Sequence, residues 1–184
     1  MKWINPNYVT TIRLVLAPLV CFLLQNQLLE QAFFTMVAGE FTDFLDGFVA
    51  RRTNQVSSIG KIYDPMCDSI FHMVIWISFL ACGWIPVYFV VLFFVRDSIV
   101  STIRICLASH SIVLAARKSG KMKAVFQAGA QLAIVLCHIF LVGDKLEATQ
   151  LSFIVMAALV TVWSLYDYGW RFYEVVKEKK AVLE

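Results

Sequence analysis

The chain has 184 residues, of which 60% are hydrophobic and 16% are charged, and its mean hydropathy is +0.73. A soluble domain has about 45–50% apolar and about 25% charged residues, so this composition excludes an ordinary soluble protein. The net charge of +3 does not require a nucleic-acid partner, because basic loops beside a membrane more often meet lipid headgroups. We predict an all-α integral membrane protein that forms a single domain over residues 1–184.

Six apolar runs are long enough to cross a bilayer, which needs about 20 residues at about 1.5 Å each. In chain order they are Val9–Leu24, Ala32–Ala50, Pro65–Cys82, Ile85–Leu107, Ala124–Val142 and Leu151–Phe172. Of the 16 Lys and Arg residues, three lie inside apolar runs, Lys145 lies on one side, and the other twelve lie on the side of the termini. This asymmetry predicts six transmembrane helices with both termini in the cytoplasm.

The second and third runs are joined by a polar stretch with four aspartates, Asp43, Asp46, Asp64 and Asp68. Spacings of three and four residues put each pair on one helix face, and the loop returns the chain to the same side, so the pairs can meet across a helical hairpin. Four close carboxylates repel one another unless they are protonated or bridged by cations. Oxygen ligands without His or Cys suit Mg²⁺, Mn²⁺ or Ca²⁺. We predict a metal cluster at the cytoplasmic mouth; the alternative is helix-end carboxylates in water.

The residues between the two pairs fit a substrate that carries phosphate groups. Gly47 leaves room for a ligand beside the backbone, and Ala50 and Gly60 are also small. Arg51 offers a planar fork for phosphate oxygens, and Ser57 offers a hydroxyl group. Taken singly, the small residues fit helix packing equally well.

The pattern DxxDGxxAR(x8)GxxxDxxxD, from Asp43 to Asp68, resembles the signature of the CDP-alcohol phosphatidyltransferases. The resemblance implies a homodimeric six-helix membrane enzyme that transfers a phosphatidyl group from a CDP-lipid to an alcohol and releases CMP. It implies that the four aspartates bind two divalent cations, Mg²⁺ or Mn²⁺, and that Asp68 is also the general base. For CDP binding it implies Gly47, Ala50, Arg51 and Ser57. The N-terminal segment PNYVT, residues 6–10, resembles a segment that lines the nucleotide pocket in this family and adds Asn7 and Thr10.

The fourth run and the segment after it resemble the phosphatidylglycerophosphate synthases, whose pattern is an R-E pair, a later Arg and G-K-x-K-T-x-x-Q. Here the pair is Arg96-Asp97, the later residue is Arg104, and the segment reads GKMKAVFQ. The resemblance implies CDP-diacylglycerol as donor and sn-glycerol 3-phosphate as acceptor. Arg104, Lys121 and Lys123 would bind the acceptor phosphate, a compact dianion. The alternatives are that the lysines anchor a span at the lipid interface and that the arginines form ion pairs with Asp97 or another carboxylate.

Several letters depart from that pattern and leave the acceptor open. Asp97 replaces Glu, Ala124 replaces Thr, Ser69 replaces a Lys, and Glu40 is an additional acid. A related enzyme that uses inositol, inositol phosphate, serine or phosphatidylglycerol therefore stays in view.

A different class, a membrane cation transporter, would explain the aspartates but not Arg51, the glycines or the basic segment at 117–123.

His72 lies four residues after Asp68 and either orients it or packs in the core. The enzyme reading predicts a multi-pass protein of the bacterial cytoplasmic membrane, with its active site on the cytoplasmic side.

Overall fold

The computed structural model describes residues 6–53, 60–109 and 118–183, and it describes side chains over 12–42, 66–107 and 118–177. Within these ranges the chain is entirely helical, which confirms the predicted all-α class. The six helices are α1 Pro6–Gln25, α2 Leu29–Thr53, α3 Gly60–Ala81, α4 Val87–Ser109, α5 Lys118–Phe140 and α6 Asp144–Leu183. Each overlaps one predicted run.

Three short connections, 26–28, 82–86 and 141–143, join the helices in pairs at one end of the bundle, which we call the loop end. Each connection contains one residue with positive φ, namely Gln27 (59°), Gly83 (74°) and Gly143 (62°). After α1, Leu28 N–H bonds to the Leu23 carbonyl at 2.9 Å and Gln27 N–H to the Leu24 carbonyl at 3.1 Å. This is the Schellman arrangement, which satisfies carbonyl groups left open at the helix end.

Side chains from α5 and α6 hold the 82–86 connection in place. The Trp84 ring stacks on His138, with 3.6 Å between ring centroids and 13° between planes. His138 Nε2 lies 2.7 Å from Gln150 Oε1, and Gln150 donates a hydrogen bond to the Trp84 carbonyl. The loop end is thus tied together by side chains as well as by chain connections.

The interior is mainly apolar toward the loop end and carries polar side chains from the middle of the bundle to the opposite end, which we call the polar end. Trp76, Phe79 and Phe93 are fully buried in the apolar part, where Trp76 packs against both phenylalanine rings. Most of the buried polar side chains lie between the middle of their helices and the polar end: Arg13, Ser119, Lys123 and Gln127 lie nearer that end, and His72, Arg96, Asp97, Gln131, Thr161 and Ser164 lie close to the middle. A membrane protein places such groups in its interior because lipid cannot hydrogen-bond them.

The outside of the bundle carries large apolar side chains. Val15, Phe34, Phe94 and Leu159, from four different helices, are each 59–69% exposed. An apolar surface of this extent marks a region that contacts lipid or another protein.

Two helical segments in the described part of the chain, Lys118–Phe140 and Asp144–Lys177, are long and apolar enough to cross a membrane by length and composition. Shorter apolar helical stretches occupy Ile12–Gln25 and Met66–Ala81. These segments agree with the predicted integral membrane protein.

Candidate active site

Asp68 is the only one of the four predicted metal ligands whose side chain lies in the described part of the chain. The others lie on the α2 and α3 backbones, but their side chains are outside the described residues, as are those of five predicted CDP-binding residues. Ser57 lies outside the described backbone as well. Where side chains are described, no group of three or more His, Cys, Asp or Glu residues is arranged to hold a metal ion. The residues outside the described side chains are Asp43, Asp46, Asp64, Asn7, Thr10, Gly47, Ala50 and Arg51.

Asp68 is held by two basic side chains that contact the same carboxylate oxygen. Arg13 Nη1 lies 3.3 Å from Asp68 Oδ1, and His72 Nε2 lies 3.4 Å from it. Arg13 and His72 are each 2% exposed, whereas the Asp68 side chain is 32% exposed. Asp68 is thus anchored on its buried side and accessible on the other. Arg13 was not among the site residues predicted from the sequence, although an arginine within an apolar run is itself a signal of function.

Gln131 fixes the orientation of the His72 ring. Its Oε1 lies 2.8 Å from His72 Nδ1, and its Nε2 donates a 2.9 Å hydrogen bond to the His72 carbonyl. The second bond determines which end of the amide faces the ring, so Nδ1 must carry a hydrogen and Nε2 faces Asp68. Of the two roles considered for His72, the geometry favours orienting Asp68.

Side chains of α3 reach α2 about one turn from Asp43 and Asp68. His72 Nδ1 lies 3.8 Å from Glu40 Oε1, and a Cβ atom added to Gly39 would lie 2.5 Å from Phe71 Cζ. From this contact, α2 continues for about 20 Å to its end at Thr53. Helix α3 begins at Gly60, about 18 Å along the helix before the same contact. The connection from residue 53 to 60 spans at most about 25 Å, which is too short for parallel helices. The two helices are therefore antiparallel, and their aspartate-bearing turns run toward the same end.

A second polar cluster connects α4, α5 and α6. Arg96 Nη1 lies 2.8 Å from Asp97 Oδ1, and Lys123 Nζ lies 2.9 Å from both Asp97 oxygens. Arg96 Nη2 also donates a 2.6 Å hydrogen bond to Ser164 Oγ. The ion pair considered for Arg96 is therefore present, and Lys123 shares it. Lys121 is exposed, so the two predicted acceptor lysines lie on different faces of α5.

Arg104 extends this cluster toward the polar end. Its Nη2 donates a 2.6 Å hydrogen bond to Tyr168 Oη, and its guanidinium carbon lies 5.2 Å from the Tyr168 ring centroid. Arg104 Nε and both amide atoms of Gln127 are buried and have no hydrogen-bond partner among the described residues. Unpaired buried polar atoms of this kind mark positions where a ligand or water completes the structure.

A cavity of about 240 Å³ lies between α3 and α4 and adjoins both clusters. Most of its lining is apolar, and its polar members are Ser69, which follows Asp68, together with Asp97, Ser98 and Ser101. A mostly apolar, open groove thus runs between α3 and α4 from Ser69 to Asp97.

Comparison with known proteins decides the family. The sequence model described as CDP-alcohol phosphatidyltransferase matches residues 3–166. The chain belongs to this family. Membership confirms the predicted family and shows that the chain is an enzyme. The matched range contains every predicted site residue and ends two residues before Tyr168.

Curated relatives of this CDP-alcohol phosphatidyltransferase include proteins of two different names. A CDP-diacylglycerol–glycerol-3-phosphate 3-phosphatidyltransferase from Mycoplasma genitalium is 28% identical over 162 residues, covering 82% of this chain and 67% of the relative. The protein of the same name from Rickettsia typhi is 27% identical over 172 residues, covering 89% and 93%. A cardiolipin synthase (CMP-forming) from Rattus norvegicus is 32% identical over 96 residues, covering 52% and 32%.

Proposed function

We propose that this enzyme transfers the phosphatidyl group of CDP-diacylglycerol to sn-glycerol 3-phosphate, giving phosphatidylglycerophosphate and CMP. The observation that carries the proposal is that Asp68 and a cation-rich cluster lie on the polar side of the bundle, with a cavity between α3 and α4 that adjoins both. Two relatives that match most of this chain are named CDP-diacylglycerol–glycerol-3-phosphate 3-phosphatidyltransferase, which supports glycerol 3-phosphate as the acceptor.

The enzyme would act as a homodimer with six membrane-spanning helices and with its termini and active site on the cytoplasmic side of a bacterial membrane. The twelve-to-one distribution of Lys and Arg residues supports this orientation. The donor's acyl chains would stay in the bilayer while its headgroup reaches the polar end.

The chemistry of the donor set fits hard divalent cations. Asp43, Asp46, Asp64 and Asp68 would hold two of them, Mg²⁺ or Mn²⁺, and the exposed side of Asp68 and the antiparallel directions of α2 and α3 support a shared site. When bound, such ions supply charge neutralisation for a pyrophosphate and for the charge that develops at the attacked phosphorus. Asn7, Thr10, Gly47, Ala50, Arg51 and Ser57 would bind the CDP moiety.

Asp68 would accept the proton of the attacking hydroxyl group. The hydroxyl oxygen of glycerol 3-phosphate forms a bond to the lipid-proximal phosphorus while the bond from that phosphorus to the bridging oxygen breaks and CMP leaves. A carboxylate oxygen must lie within about 3 Å of the hydroxyl to take its proton. Contacts from Arg13 and His72 to Oδ1 would hold the carboxylate in one orientation, with Oδ2 facing the hydroxyl.

The acceptor phosphate would bind at the α4–α5–α6 cluster through Arg104, Lys121 and Lys123. Arg96, Arg104 and Lys123 oppose the single carboxylate of Asp97, which leaves an excess of two positive charges, equal in size to the charge of a phosphate dianion. Arg104 is better placed than the two lysines, because its Nε lacks a partner among the described residues, whereas Lys121 is exposed on another face of α5. Lys123 is already paired with Asp97 and would act by adding to the field rather than as a free donor.

The test is an acceptor panel. The purified protein is incubated with CDP-diacylglycerol, Mg²⁺ or Mn²⁺ and, separately, glycerol 3-phosphate, inositol, inositol phosphate, serine or phosphatidylglycerol, and CMP release is measured. We expect release with glycerol 3-phosphate and its loss in Asp68→Asn or with excess chelator. Release with phosphatidylglycerol alone would favour the cardiolipin synthase activity named for the Rattus norvegicus relative, and release with inositol or serine alone would likewise refute the acceptor.

A further inference from the structure

Tyr168 on α6 lies between the two arginines of α4 without belonging to any predicted site. Its side chain is fully buried, and its ring centroid lies 5.6 Å from the guanidinium carbon of Arg96 and 5.2 Å from that of Arg104. A ring face attracts cations at these distances. Ser164, one turn earlier on the same helix face, binds Arg96. One face of α6 thus holds both arginines.

The Tyr168 hydroxyl group determines the direction of the Arg104 fork. An arginine side chain has several rotatable bonds, and Arg104 is only partly buried, so the bundle alone does not fix its end. The 2.6 Å hydrogen bond from Nη2 to Tyr168 Oη supplies that restraint. It uses one guanidinium donor and leaves the fork in one orientation, which lowers the entropy lost when a phosphate binds.

Gly120 on α5 provides the space for this hydroxyl group. A Cβ atom at position 120 would lie 2.7 Å from Tyr168 Oη, but 3.3 Å and 3.4 Å from the nearest ring carbons. The conflict is therefore mainly with the hydroxyl oxygen rather than with the ring. Gly120 also lies one turn before Lys123. Tyr168 therefore contacts the helix that carries Lys123, another predicted ligand of the acceptor phosphate.

We propose that Tyr168 is a positioning residue for the acceptor: its hydroxyl group holds the Arg104 fork ready for the phosphate of the acceptor, and Gly120 keeps the required space open. This inference rests on the proposed function, because it assumes that the acceptor carries a phosphate. Tyr168 itself does not touch the reacting atoms.

The first test removes only the hydroxyl group. For Tyr168→Phe we expect the KM for glycerol 3-phosphate to rise about tenfold, as for the loss of one hydrogen bond to a charged group. The KM for CDP-diacylglycerol and kcat should stay close to the wild-type values. Tyr166→Phe is the matched control, because the same atom is removed from a side chain that is 68% exposed, and it should leave both KM values unchanged.

The second test uses the geometry at Gly120. Gly120→Ala should raise the KM for glycerol 3-phosphate by a similar factor, because the new methyl group displaces the tyrosine oxygen. Added to Tyr168→Phe, the same substitution should cause little further increase, since the oxygen that it would displace is already gone.

The possible outcomes separate this inference from the proposed function. An unchanged KM for glycerol 3-phosphate in Tyr168→Phe, or a rise accompanied by an equal rise for CDP-diacylglycerol and a lower melting temperature, would overturn the positioning role alone. Effects of the two substitutions that simply multiply would overturn the part played by Gly120. A wild-type protein that releases no CMP with glycerol 3-phosphate would instead refute the proposed function and this inference together.

Discussion

Lys123 is expected to stabilise the fold through its ion pair with Asp97, in addition to any role in substrate binding. The substitution Lys123→Met tests this structural role. Its Nζ lies 2.9 Å from both oxygens of Asp97, and both side chains are less than 10% exposed. At an effective dielectric constant of about 20, one such contact corresponds to about 6 kcal/mol of Coulomb energy. Much of this is offset by desolvation, and removing one partner of a buried pair costs about 3–5 kcal/mol.

Arg96 also contacts Asp97 at 2.8 Å, so the carboxylate keeps one partner when Lys123 is removed. We therefore expect Lys123→Met to lower the free energy of unfolding by about 3 kcal/mol, the low end of that range. For a chain of this size, that corresponds to a melting temperature lower by about 6–12 °C.

The assay is thermal unfolding in detergent at a fixed scan rate, followed with a thiol-reactive dye that labels the buried Cys67 and Cys137 as they become exposed. Lys121→Met is the matched control, because this lysine is exposed on the same helix and its loss should change stability by less than about 0.5 kcal/mol. In the Asp97→Asn/Lys123→Met double variant, the loss should be smaller than the sum of the two single losses. A Lys123→Met protein as stable as the Lys121→Met protein would refute the structural pairing.

Three further predictions concern Asp68 and the loop end. Gln131→Leu removes the acceptor that orients His72, so we expect kcat to fall about tenfold with little change in either KM, as measured by CMP release; an unchanged kcat would contradict the orienting role. Arg13→Gln should lower kcat by at least as much, because Asp68 loses a buried contact, and a loss of stability without a loss of kcat would instead show that Arg13 serves packing alone. Gln27→Gly should raise the free energy of unfolding by about 0.5–1 kcal/mol, since glycine adopts the positive φ without strain; a lower melting temperature would contradict this.

The positions of the helices could be read from the sequence with small errors. The predicted run Pro65–Cys82 corresponds to α3 Gly60–Ala81, and Ile85–Leu107 corresponds to α4 Val87–Ser109. The largest difference is at the last helix, where Leu151–Phe172 was predicted and α6 extends over Asp144–Leu183. The apolar run measures only what lipid requires, whereas a helix continues into polar sequence as long as its backbone hydrogen bonds are made.

The partners of the site residues could not be read in the same way. Arg13 and Asp68 are 55 positions apart, and His72 and Gln131 are 59 apart. Local spacing shows which residues share a face of one helix, but it does not show which faces of different helices meet. Lys121 and Lys123 illustrate how far local spacing can predict the site. A spacing of two puts them on different faces of α5, but only the packing of α5 against α4 and α6 determines which lysine is buried.

The sequence alone therefore determined the helical class, the approximate extent of the six helices and, through the spacing of its aspartates, the family, because these properties depend on composition and on residues close together in the chain. The tertiary structure decided which buried charges are paired, that Asp68 is held by Arg13 and His72, and that Tyr168 holds Arg104 beside Gly120. These depend on how helix surfaces fit together, and the free energy of that fit is shared among residues that no local pattern connects.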